Sequence, residues 1–99
     1  MTIRKTYRGA IQGHGVAEVL TSQGPDGSGY VASERIEGTL DGRLGTFVIQ
    51  HGGLADRNGQ STFGAIVPGS GTGELASLSG RAAEARQGVL TLICRLPER

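Results

Sequence analysis

Tryptophan is absent from the chain, and two tyrosines and two phenylalanines are its only aromatic residues. With 36% apolar residues over 99 positions, a single thin core is all that can be built. One domain spanning residues 1–99 is expected, and the thin core points to a homo-oligomer that borrows surface from another subunit. The single cysteine, Cys94, excludes an internal disulfide, and a buried strand thiol is its expected state. No apolar run approaches the roughly 18 residues of a membrane span, and no signal-peptide core opens the chain. A soluble, cytoplasmic protein without a membrane partner is expected. Ten Lys and Arg against nine Asp and Glu leave a net charge of +1, which gives no electrostatic grip on a phosphate backbone, so no nucleic-acid partner is expected. His14, His51 and Cys94 are the only nitrogen and sulfur donors of note, and no short motif joins them. Neither a metal nor a cofactor is expected.

What the chain does have is glycine, 18 residues against a usual share of about 7%. These glycines punctuate alternating apolar residues, without a collagen period or a flexible linker. Asp26-Gly27, Asp41-Gly42 and Asn58-Gly59 are the dipeptides that two-residue hairpin turns prefer. They separate strand-like runs: YVASERIEGTL from Tyr30, LGTFVIQH from Leu44 and QSTFGAIV from Gln60. Upstream, RKTYRGAIQ and GVAEVLT flank Gly13-His14-Gly15, which reads as a hairpin link. Arg4, Lys5 and Arg8 read as the solvent face of the first strand. Downstream, LSGRAAEAR and GVLTLICRL supply two strands around Gly88. The count is about seven strands in up-and-down antiparallel order. Glu74–Leu78 allows one or two helical turns, since Gly80 argues against a longer helix.

The densest glycine motif, IVPGSGTGEL from Ile66 to Leu75, fits no phosphate chemistry. A P-loop requires Gly-Lys-Ser/Thr after its loop, and Glu74 and Leu75 follow here. A G-x-G-x-x-G fingerprint is not met, and around Ser70 Pro68 and Thr72 stand where a G-x-S-x-G nucleophile elbow requires glycine. The motif reads as architecture: Pro68 stops a strand ladder, and Gly69, Gly71 and Gly73 let the chain turn sharply.

At these residues a resemblance emerges. ERIEGTLDGRLGTFVIQHGG from Glu34, followed by IVPGSGTGELASLSG, resembles domain-of-unknown-function family 3224, a family of small, mainly bacterial proteins. KTYRGAIQGHGVAEVL from Lys5 resembles the family's first strand pair. The resemblance implies the eight-stranded antiparallel β-barrel of allene oxide cyclase and the dirigent proteins, in which Gly71-Thr72-Gly73 would be the barrel-closing connection. Family members carry some 30 further residues, including a strand, before this point. The expectation is therefore a Gly-rich, allene oxide cyclase-like barrel of about seven strands, lacking the usual N-terminal strand and closed by a partner. The ending ICRLPER also departs from the family's more acidic and aromatic one.

Alternation in strands then selects candidate site residues. In the strand from Tyr30, the set Tyr30, Ala32, Glu34 and Ile36 is the more apolar and is assigned inward. In the next strand Phe47, Ile49 and His51 point the same way. In GVAEVLT the pattern does not choose between Val16, Glu18, Leu20 and Ala17, Val19, Thr21. If the first set faces in, Glu18, Glu34 and His51 converge on one lumen with Tyr30 nearby. A buried carboxylate beside a histidine can exchange a proton near neutral pH. The bland alternative pairs Glu34 with Arg35, Arg43 or another arginine at the barrel rim and makes His51 a strand-end cap. The leading function is binding of a small apolar molecule in the lumen by Tyr30, Phe47, Ile49 and Phe63. The alternatives are a cofactor-free isomerase or cyclase using Glu34 or Glu18 with His51, resting on fold analogy, and a structural, oligomer-forming subunit. The structural alternative expects a lumen filled by Phe47, Phe63, Leu20 and Leu92.

Overall fold

The computed structural model describes residues 1–86 and 89–95, which form seven strands and one short 3-10 turn. The strands are β1 (Thr2–Tyr7), β2 (Ile11–Gly24), β3 (Gly27–Leu40), β4 (Arg43–Asp56), β5 (Gly59–Ile66), β6 (Ser79–Arg86) and β7 (Val89–Arg95). They make one antiparallel sheet in chain order. β1 and β7 are its edges, and no ladder among the described residues joins them into a closed barrel. No helix among the described residues is long and apolar enough to cross a membrane.

The turns refine the sequence reading. Leu40 pairs with Arg43, so Asp41-Gly42 is a true two-residue loop. Its φ angles of 49° and 81° are the left-handed pair of a type I′ turn. The other two hairpins place their loops one residue earlier, at Pro25-Asp26 and Arg57-Asn58, because Gly24 pairs with Gly27 and Asp56 with Gly59. Proline fixes a negative φ at Pro25, which forbids a type I′ loop there. Gly13-His14-Gly15 is no link at all but lies inside β2, and the chain reverses at Arg8–Ala10. The expected helical turn is a single 3-10 turn, Gly73–Leu75, and Gly80 lies in β6. Gly88 and the tail from Leu96 lie outside the described residues.

One face of the sheet is apolar and concave. Ile11, Ile36, Leu40, Phe47, Ile49 and Ile66 pack there in one buried cluster, joined by Leu75 and Leu78. Tyr7 from β1 and Leu92 from β7 pack against the same cluster, so both edges curl over one core. Full burial of each large aliphatic or aromatic side chain contributes about 1.5–3 kcal/mol. A smaller cluster of Ala17, Val19 and Ala32 continues the same face.

The glycine motif finds its purpose at the edge of β4. β5 ends at Ile66, opposite Ile49, leaving the first residues of β4 without a strand partner on that side. The loop substitutes for one. Ser70 Oγ accepts from Val48 N (3.0 Å), Thr72 Oγ1 accepts from Thr46 N (3.1 Å), and Glu74 accepts from Leu44 N (3.2 Å). Thr72 N in turn donates to Thr46 O (2.8 Å). Alternate residues of an edge strand expose their backbone groups on one side, which explains the two-residue spacing of Leu44, Thr46 and Val48. Gly71 must be small, because a Cβ there would collide with the Leu75 carbonyl.

Ser70→Ala is expected to cost about 1 kcal/mol by leaving Val48 N–H without its acceptor. Gly71→Ala is expected to cost more than about 2 kcal/mol, as backbone must move. Urea denaturation midpoints of the two variants check both values and their order.

Candidate functional site

A charged cluster sits on the concave face between the two apolar clusters. Glu34, on β3 between Ala32 and Ile36, is only 1% exposed. Its carboxylate reaches over β2 to β1, where Lys5 Nζ lies 3.1 Å from Oε1 and the Tyr7 hydroxyl donates to Oε2. This reach depends on the strand crossed. Gly15 pairs with Lys5 on one side and Ile36 on the other, and any Cβ there would collide with Glu34 Oε2. A glycine inside a strand often marks such a close approach.

His51 of β4 completes the cluster from the other side. Its Nε2 is 3.7 Å from Glu34 Oε1, within ion-pair range but beyond a hydrogen bond. Its Nδ1 is 3.1 Å from the Tyr30 hydroxyl, and the two rings meet edge to face with centroids 5.6 Å apart. Each ring nitrogen thus has its own polar neighbour, the Glu34 carboxylate at Nε2 and the Tyr30 hydroxyl at Nδ1. Tyr30 lies over Gly53, where a Cβ would come within 3.1 Å of the ring. Three strands thus contribute side chains to one line: Lys5 and Tyr7 of β1, then Glu34 of β3, then His51 of β4, then Tyr30 of β3.

The line ends at open space. Beyond the Ala17, Val19 and Ala32 cluster, β2–β5 continue with both faces largely exposed. On the concave side they form a groove of about 350 Å³ lined by Val19, Thr21, Tyr30, Gly53, Ala55 and Thr62, among others. Tyr30 belongs to both the groove wall and the charged line.

Several sequence expectations change here. Glu34 and His51 do face inward together, but Glu18 does not. Ala17 and Val19 stand opposite Glu34 and Ala32 on the concave face, so Glu18 is on the convex face, exposed, where it accepts from the Thr2 hydroxyl at 2.9 Å. Small residues are needed beneath Glu34, and a second carboxylate beside it would add like-charge repulsion. Phe47 and Ile49 are packed core residues, and neither lines the groove. Phe63 also faces outward, because it stands opposite Gly52, next to inward His51. Leu20 is exposed on that outer face, so of the residues expected to fill a lumen only Phe47 and Leu92 pack into the core. Arg35 pairs with Glu37 rather than Glu34. Lys5 was expected in solvent, yet the spacing of Ile3, Lys5 and Tyr7 places it on the same side as two large apolar-bodied residues. That alternation was the signal for Lys5 and Tyr7. Cys94 is exposed rather than buried, and partial desolvation, then the Asp41 carboxylate, push its thiol pKa up. Among the described residues no group of three or more His, Cys, Asp or Glu could hold a metal ion.

A single antiparallel sheet curled over a paired carboxylate defines a small all-β protein with polar groups sunk into its concave face. The chain belongs to the DUF3224 family of proteins of unknown function, whose model matches residues 1–89. It is similar to the crystal structure of a DUF3224-family protein of unknown function from Shewanella oneidensis MR-1, at 31% identity and a TM-score of 0.86. That likeness covers 100% of this chain and 78% of the Shewanella chain. No curated protein matches.

Lys5→Met is expected to destabilise the protein by about 2 kcal/mol. That is less than the roughly 3–5 kcal/mol of a fully buried pair, since Lys5 is partly exposed. In the double variant Lys5→Met/Glu34→Gln more than half of that loss is regained, because no charge is left uncompensated. Additive losses in denaturant titrations contradict the pairing.

Proposed function

We propose that the protein binds a small molecule in the concave groove, with an apolar body against Val19, Ala55 and the Tyr30 ring and a hydrogen-bonding group at the Tyr30 hydroxyl. The observation that carries this reading is the continuity from Glu34 through His51 to Tyr30, a residue of the groove wall. Polar groups fixed by a buried ion pair are pre-organised, so a ligand would not have to order them. The groove volume is within the range of small-ligand sites, roughly 300–1,000 Å³. The resemblance to allene oxide cyclase-type barrels supplies an analogy for a ligand on the concave side, and analogy of fold alone does not assign a ligand.

A second reading is a cofactor-free isomerase or cyclase. The specific observation in its favour is His51 between a carboxylate and a phenol, an arrangement that can take a proton from a ligand at Tyr30 and return it. Glu34 would position and charge-balance His51 rather than touch the ligand, since it is sealed from the groove.

An NMR-detected screen of small amphiphilic molecules tests the binding reading. Ligands are expected to shift resonances of Thr21, Tyr30 and Thr62. Thr62→Trp, which fills the groove from an exposed position, is expected to abolish binding, and Tyr30→Phe to weaken it by about tenfold, the equivalent of one hydrogen bond. Ligands that bind Thr62→Trp unchanged sink the proposal. For the enzyme reading, His51→Gln is expected to keep binding while any turnover seen in the same tubes disappears.

A further inference from the structure

The convex face carries four large apolar side chains that take no part in the core. Leu20, Val31, Leu54 and Phe63 are 73%, 50%, 70% and 58% exposed. They come from β2, β3, β4 and β5, and the register sets them side by side: Leu20 opposite Val31, Val31 opposite Gly52, and Gly52 opposite Phe63. Leu54 stands opposite Gly29. The two glycines form the floor. A Cβ at Gly29 would lie 2.8 Å from Leu54 Cδ2, and one at Gly52 would lie 2.5 Å from Phe63 Cε1. Leu54 and Phe63 therefore lie over bare backbone and frame a shallow groove of about 390 Å³ that no charged side chain lines.

The patch exposes on the order of 500 Å², near the upper end for the largest apolar patch on a monomer. It is also more than half of the roughly 800 Å² that each partner gives to a stable interface. Charge decides what could cover it. The next row down the sheet runs Glu18, Ser33, Gln50, Ala65, Arg81, each opposite the next. Glu18 and Arg81 thus stand two strands to either side of Gln50 on β4, with opposite signs. A two-fold axis along β4 brings each flank of one copy over the opposite flank of the other.

We propose that a second copy of this chain covers the convex face about such an axis. Leu54 then meets the same residue of the second copy, Val31 meets its Phe63, and Glu18 faces its Arg81. Two sheets packed face to face at a small angle, about 10 Å apart, are the ordinary solution for an apolar sheet surface. An acidic or a basic partner would match one flank and be repelled by the other.

Sedimentation equilibrium of the full chain tests this. Wild type is expected to be a dimer. Leu54→Glu, which sets two carboxylates together at the axis, is expected to weaken association by at least about 100-fold. Phe63→Ser serves as a second disrupting variant, and circular dichroism checks that both remain folded. Glu18→Arg is expected to weaken the dimer by about tenfold, and Glu18→Arg/Arg81→Glu to restore it. A monomeric wild type, a dimer indifferent to both Leu54→Glu and Phe63→Ser, or a monomer that instead co-sediments with phosphatidylcholine vesicles overturns the proposal.

Discussion

The ion pair between Glu34 and Lys5 across Gly15 is the constraint around which the concave face is arranged. A carboxylate this deeply buried must keep a cation, and that cation lies on a strand not adjacent to its own. Three strands are thereby held in one register. Sliding β2 by a single residue would put Val16 where Gly15 lies and turn Ala17 and Val19 out of the core. Such a pair adds little net stability compared with apolar packing, but it penalises misalignment heavily. The apolar clusters on either side then fill around a fixed point.

The sheet outgrows its core. β2, β3 and β4 each run 14 residues, while the large apolar cluster occupies one end. At the other end the same strands are exposed on both sides, with a groove on the concave face and an apolar patch on the convex face. A scaffold this long, 50 Å against 22 Å in its other dimensions, exceeds what the core requires. Backbone pairing alone carries the surplus, and both proposed interactions fall there.

Much of the architecture was legible because turn chemistry and alternation agree. All five strands read downstream of Tyr30 are present, as is the strict chain order. The inward orientation of Glu34 and His51 was legible because their strands have a clear apolar side. β2 defeated the same method, since Ala17, Val19 and Thr21 are no more apolar than Val16, Glu18 and Leu20. Phe63 misled for a different reason: the largest side chain of its strand lies outside, while Gly64 lies inside, where a Cβ would run into the Ala82 carbonyl. The closeness of a neighbouring backbone leaves no trace in hydropathy. Lys5 was missed because its charge outweighed its position, and a compensating charge is recognisable only once its partner is known to be buried.

Strand order has a kinetic consequence. Every ladder joins neighbours in sequence, so each strand but β6, which follows the long connection after β5, can add to the one just formed across a short turn. The 14-pair hairpins of β2 with β3 and β3 with β4 enclose tight turns and hold the largest set of early contacts. Assembly can start there and spread outward in both directions, with β1 arriving on one flank to neutralise Glu34 and the Ser70–Glu74 loop folding down on the other. A chain built this way reaches its charged centre only after the central hairpins exist, so the ion pair selects among registers rather than initiating them.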